Sequence, residues 1–169
     1  YGKNFVLENK EIDVTNVKYR QVGVLLATRG YDSTDIRYST LTGNNLKVIA
    51  DGVNAENYSI TGLGAAFGSS VYFNNVNLEF KNANNGDING LMAGQGYGDS
   101  GNLSSNSKTN YVEINNDYTF KATKSDLINK NPVTGIRAIQ NNDGTGNSKT
   151  GVGPTAHVAI KGSYNADIT

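Results

Sequence analysis

Ile60-Thr61-Gly62-Leu63-Gly64-Ala65 decides the fold, because the chain repeats it. The stretch returns as Ile88-Asn89-Gly90-Leu91-Met92-Ala93 and as Val133-Thr134-Gly135-Ile136-Arg137-Ala138. A looser copy, Gln21-Val22-Gly23-Val24-Leu25-Leu26, stands upstream. Strict alternation cannot run through the hexamer, since Ile60 and Leu63 differ in parity. Both can face one core only if the backbone turns at Thr61-Gly62, and a glycine at a strand corner allows that without a Cβ clash. The repeated unit is then strand, corner, strand, with circuits starting near Gly23, Gly62, Gly90 and Gly135.

The segments flanking these corners recur as well. Val71-Tyr72-Phe73, Asn74-Asn75 and Val76-Asn77-Leu78-Glu79-Phe80 match Val112-Glu113-Ile114, Asn115-Asn116 and Tyr118-Thr119-Phe120-Lys121-Ala122. Asn44-Asn45-Leu46-Lys47-Val48 and Val158-Ala159-Ile160-Lys161-Gly162 fit the same slots. Apolar residues sit at i and i+2 with charge or amide between them, the period of a half-buried strand. One circuit is therefore three short strands with polar corners. Stacked circuits pair each strand in parallel with its equivalent, at about 4.8 Å along the axis. That predicts Leu63 over Leu91 and near Ile136, Ala65 near Ala93, and Val71 near Val112. Asn-Asn corners suit such a stack, because Asn tolerates the left-handed backbone and its amide can bond the amides above and below.

The marker glycines stand 39, 28 and 45 residues apart. A core circuit of roughly 25 residues with looped-out excess accounts for the unequal spacing. The excess falls in Gly94 to Lys108 and Asn141 to Pro154, which are rich in Gly, Ser, Asn and Thr and lack any strand pattern. Upstream, Arg29 to Thr34 reads as a polar loop, followed by a strand at Ile36-Arg37-Tyr38 and a turn through Gly43-Asn44-Asn45. No segment carries a helical apolar stripe over three turns, and Lys124 to Asn129 is the single candidate for a short helix. Residues 1–21 read as an incoming turn that caps the open end, and 22–169 as the circuits themselves. The chain begins at Tyr1 without Met and stops mid-pattern at Ala166-Asp167-Ile168-Thr169, as expected of an excised piece.

With 169 residues, the chain has the length of one domain with a real core. Its formal net charge is +0 at a sequence pI of about 6.8, which argues against nucleic acid or an anionic membrane as partner. No apolar run approaches the roughly 18 residues of a membrane span, so direct membrane insertion is not expected of this chain. Cysteine is absent, which removes disulfides and thiolate metal sites.

Irregular Asn/Gly/Thr-rich circuits with G-[LI]-x-A corners, no cysteine and neutral charge resemble the passenger of a bacterial autotransporter, a type V-secreted surface protein. The resemblance covers Gly23 to Lys161. It implies an all-β fold, a right-handed parallel β-helix or solenoid with irregular polar loops projecting from its corners. It further implies an adhesin or self-association module at the bacterial cell surface, anchored in the outer membrane by a segment not present here. Its partners would be host surface glycan or matrix protein, or further copies of itself.

Residues capable of chemistry are few. His157, the single histidine, alternates with Val158 on a strand and is expected on the solvent side rather than in a Ser/His/Asp triad. Gly68-Ser69-Ser70 is a corner, not a nucleophile elbow, and Gly94-Gln95-Gly96-Tyr97-Gly98 lacks the G-K-[ST] of a phosphate loop. Asp32 and Asp35 with Arg29 and Arg37 form the one group that a β-helical polysaccharide lyase could use, although solvated loop charge is the simpler account of them. No EF-hand or RTX spacing marks a calcium site. The expectation is thus no catalytic residue, no metal and no cofactor. Ligand contact is expected on protruding loops, at Arg29, Tyr31, Asp32, Tyr97, Asp99 and Asn106, where Tyr, Arg and Asn give adaptable polar contact. Tyr38 and Tyr118 are expected to face the core. A lectin-like sandwich is the rival all-β fold, and it would show antiparallel pairing.

Overall fold

The computed structural model describes residues 4–19, 22–28, 30–32, 35–66, 68–94, 109–124, 132–139 and 156–169. These residues form β1 (Asn4–Val6), β2 (Lys10–Thr15), β3 (Val22–Ala27), β4 (Gly30–Asp32), β5 (Asp35–Arg37), β6 (Thr40–Asp51) and β7 (Asn54–Ala65). After them come β8 (Ser70–Gly94), β9 (Asn110–Ile114), β10 (Tyr118–Lys124), β11 (Val133–Ile139), β12 (Ala156–Ile160) and β13 (Tyr164–Ile168). The protein is all-β, and its 11-stranded sheet is paired in parallel throughout. Among the described residues the β4–β5 hairpin is the one antiparallel ladder, which excludes an antiparallel sandwich.

Pairing falls into three columns. The first runs β1, β6, β8, β9 and β12, with Phe5 on Leu41, Leu41 on Val71, Val71 on Val112 and Val112 on Val158. The second runs β2, β6, β8, β10 and β13, with Ile12, Val48, Leu78, Phe120 and Ala166 in line. The third runs β3, β7, β8 and β11, with Leu25, Leu63, Leu91 and Ile136 in line. β6 and β8 contribute to more than one column, β8 to all three. The expected contacts of Leu63 with Leu91, Ala65 with Ala93 and Val71 with Val112 are all present.

The corners differ from expectation in one respect. The strands do not break there: β6 runs through Gly43-Asn44-Asn45 and β7 through Thr61-Gly62. Pairing instead skips a single position, at Asn44 opposite Asn74 and at Gly62 opposite Gly90. Side-chain parity changes at each skip, so Ile60 and Leu63 are both fully buried. The turn deduced from parity exists, but it is one residue wide and leaves the ladder intact on both sides.

Nor do the repeated glycines serve a left-handed backbone. Positive φ occurs at Asn16, Gly52 and Asn82, which stack at the corner after the second column, and not at Gly62, Gly90 or Gly135. Those three glycines face the second column across the core. A Cβ on Gly90 would lie 2.1 Å from Tyr118 Oη and 2.8 Å from Phe120 Cδ2; one on Gly135 would lie 1.8 Å from Tyr164 Oη. At Gly62 the neighbours are Leu78 and Phe80, both at 3.0 Å. Aromatic rings in one wall require the missing side chain in the other, since interiors pack without spare volume. Tyr118 is fully buried and donates its hydroxyl to the Gly135 carbonyl at 2.8 Å. Burial pushes its phenol well above the ordinary range.

The looser upstream copy is displaced by one. Val22 pairs with Ile60 and Gly23 with Thr61, so Val24 rather than Gly23 stands in the glycine line. This register sets Leu25 on Leu63 and Ala27 on Ala65, and inward aliphatic matching outweighs glycine matching because it is what buries apolar area. The segment read as a polar loop at Arg29 to Thr34 contains β4, which pairs with β5 through Tyr31 opposite Ile36. The candidate helix at Lys124 to Asn129 falls outside the described residues except for Lys124, the last residue of β10.

Candidate functional site

Among the described residues the outer faces of the columns carry the polar groups. On the second column the outward line runs Glu11, Lys47, Asn77, Thr119 and Asn165, beside Asp13, Ile49, Glu79, Lys121 and Asp167. Lys47 Nζ donates to Glu11 Oε1 at 2.8 Å, and this bond holds the ammonium pKa above its ordinary value.

Two ladders edge that face at the corner between the first and second columns. In one, Asn45 Nδ2 donates to Asn9 Oδ1 at 2.7 Å and Asn75 Nδ2 to Asn45 Oδ1 at 2.8 Å. The Asp117 backbone N–H continues it to Asn75 Oδ1 at 3.3 Å, and Ser163 Oγ donates to Asp117 Oδ1 at 2.7 Å. The Ser163 hydroxyl, then its backbone N–H, lowers the Asp117 pKa below the usual carboxylate value. In the other ladder Asn74 donates to Asn44, Asn115 Nδ2 to Asn74 Oδ1 at 3.3 Å, and Lys161 Nζ to Asn115 Oδ1 at 3.1 Å. The amide stacking anticipated from the Asn-Asn pairs is therefore present.

Between the first ladder and the Lys47–Glu11 pair lies an open groove of about 470 Å³. Asn9, Asn45, Asn75, Asn77, Lys47 and Asp117 are among the residues lining it. Each ladder amide has two N–H donors and two acceptor lone pairs, and stacking uses only part of them. The groove thus presents donors and acceptors at the strand spacing of about 4.8 Å.

The first column bears a strip of rings. Tyr72 lies 5.6 Å from Tyr111 between centroids, and Tyr111 stacks on His157 at 4.5 Å with planes 10° apart. Tyr111 Oη donates to Glu113 Oε2 at 3.0 Å, and Lys161 Nζ donates to Glu113 Oε1. The Lys161 contact is the main cause of a lowered Glu113 pKa, while the bond to Glu113 raises that of the Tyr111 phenol. His157 is exposed, as its alternation with Val158 predicts. Tyr118 is in the core, as expected, and Tyr38 is half-buried.

Of the residues expected to contact ligand, Tyr31 and Asp32 lie on β4, where their backbones are described, with Asp32 opposite Asp35 and Gly30 opposite Arg37. Arg29, Tyr97, Asp99 and Asn106 lie outside the described residues. The amide groove and the ring strip were not anticipated as sites. Asn-Asn recurring before Leu46 and Val76 pointed to the first, while the second depends on the register of Tyr111 with His157. Among the described residues no three carboxylate or imidazole groups gather closely enough to hold a metal ion. No family model, curated protein or solved structure matches the chain.

Proposed function

We propose that the chain winds as a right-handed parallel β-helix of the autotransporter-passenger kind and acts as an adhesin or self-association module at a bacterial cell surface. Its partners in this reading are host glycan, matrix protein or further copies of the chain. It binds rather than catalyses, and no cofactor or metal takes part. An anchoring segment outside this sequence would hold it to the outer membrane.

The observation that carries the reading is the repetition of one polar pattern along the outer face of the stacked strands, ordered by side-chain ladders. Stacking orders these side chains before any partner arrives, so binding costs less conformational entropy. Many weak polar contacts along a firm face suit attachment under avidity better than they suit turnover. Sedimentation velocity across a concentration series, beside binding screens on glycans and matrix proteins, tests this. Concentration-dependent assembly or saturable binding is expected. A chain that stays monomeric and binds neither class of partner removes the proposal.

A further inference from the structure

We infer that the groove on the outer face of the second column binds a neutral oligosaccharide, lying along the stacking direction, with the Asn77 side-chain amide as its anchor. This deepens the attachment reading and rests on it.

The first reason is an orphaned polar atom. Asn77 lines the groove, and its Oδ1 is shielded from solvent without a hydrogen-bond partner. A buried acceptor left unpaired costs about 1–3 kcal/mol, so a donor delivered to it is worth more than one offered to a hydrated group. Lys10 and Lys47, on flexible four-carbon stems, line the same groove.

The second reason is the character of the lining. Asn9, Asn45 and Asn75 are amides with donor and acceptor capacity beyond their ladder bonds, and Thr119 adds a hydroxyl. Sugar hydroxyls are each donor and acceptor, and they match such a row. Charge does not favour the alternatives. Lys10 and Lys47 are balanced by Glu11 and Asp117, so the groove lacks the net positive charge that a phosphate backbone or sulfated glycan demands. The apolar residues at its floor, Leu46 and Val76, are 2% exposed and turned into the core.

The test uses the whole chain against neutral tetrasaccharides of β-1,4-linked glucose and of N-acetylglucosamine, with heparin as the anionic comparison. Saturable binding of at least one neutral tetrasaccharide is expected, with heparin not competing. Asn77→Leu should weaken it about tenfold, the loss of one buried hydrogen bond, while Asn77→Asp, which keeps an acceptor, retains it. Thermal melts of both variants establish that the fold survives. Several results would overturn the assignment: no neutral sugar bound, preference for heparin, or equal affinity in Asn77→Leu. Self-association abolished by Asn77→Leu would make the occupant a second copy and overturn it too. Binding of matrix protein or self-assembly by a chain that binds neither neutral sugar would leave the general attachment reading standing while the groove assignment falls.

Discussion

Replacing Gly90 with alanine should be far more damaging than its single added methyl suggests. The new Cβ would lie 2.1 Å from Tyr118 Oη, 2.6 Å from the Gly135 carbonyl oxygen and 2.8 Å from Phe120 Cδ2. The carbonyl cannot retreat easily, because β11 is held to β8 on either side of it through Thr134 opposite Asn89 and Ile136 opposite Leu91. Tyr118 must therefore withdraw and lose its 2.8 Å bond to that carbonyl. Overpacking a filled core costs about 1–3 kcal/mol. Leaving a buried hydroxyl and carbonyl unpaired adds about 1–3 kcal/mol. A total of about 2–6 kcal/mol is a large part of the roughly 5–15 kcal/mol that holds a domain. At about 2–4 °C per kcal/mol for a chain of this size, the melting midpoint should fall by roughly 4–24 °C. Urea and thermal unfolding of Gly90→Ala, Tyr118→Phe and the double variant measure this. Deleting the hydroxyl removes the closest contact, so the double variant should cost at least about 1 kcal/mol less than the two single changes added together. A Gly90→Ala chain that unfolds within about 1 kcal/mol of the parent, or an additive cycle, would show that the glycine line is not there to admit the rings.

Three further outcomes follow from the same packing. Asn75→Ala removes the bond to Asn45 and the acceptor for the Asp117 N–H, and chemical denaturation should show a loss of about 1–2 kcal/mol. Asn82 has φ of 49°, in line with Gly52 at 65°, so Asn82→Gly should be tolerated while Asn82→Val costs about 1–2 kcal/mol in the same assay. Glu113 has its pKa lowered first by Lys161 and then by Tyr111, so the folded form holds its proton less tightly than the unfolded one. Its contribution is present above the ordinary carboxylate pKa of about 4.3 and is lost as pH falls through the lower folded value. Glu113→Gln should therefore flatten the acid limb of a stability-versus-pH curve, and an unchanged limb would count against the Lys161–Glu113 pair.

Much of the strand stacking was readable from parity. Ile60 and Leu63 cannot both be inward on a straight strand, and that arithmetic locates the corner from sequence. The register of Ile60 with Ile88 and Val133 followed, because three copies agreed at every position that matters. Gly23 misled for a related reason. Glycine has no side chain with which to specify a register, so the fourth copy was settled by Leu25 and Ala27 finding Leu63 and Ala65. Composition marks Arg29, Tyr31, Asp32, Tyr97, Asp99 and Asn106 as suited to ligand contact, but composition does not say which polar groups converge. Asn9, Asn45, Asn75 and Asp117 are separated by 30 to 42 residues in sequence, and parallel stacking places them in one row.

What the amino-acid order determined by itself is the period: which positions turn inward, where the chain bends, and that like residues lie on like. These are local properties, set by side-chain alternation and by glycine and asparagine at the bends. Tertiary structure alone decided why the glycines are needed. Their reason lies across the core, in Tyr118, Phe120 and Tyr164, whose rings occupy the volume a Cβ would take. It also decided the groove and the ring strip, since Tyr111 meets His157, and Asn45 meets Asn75, only when separate passes of the chain lie one strand spacing apart. Contacts between residues so distant in sequence depend on register, and register is a property of the packed whole.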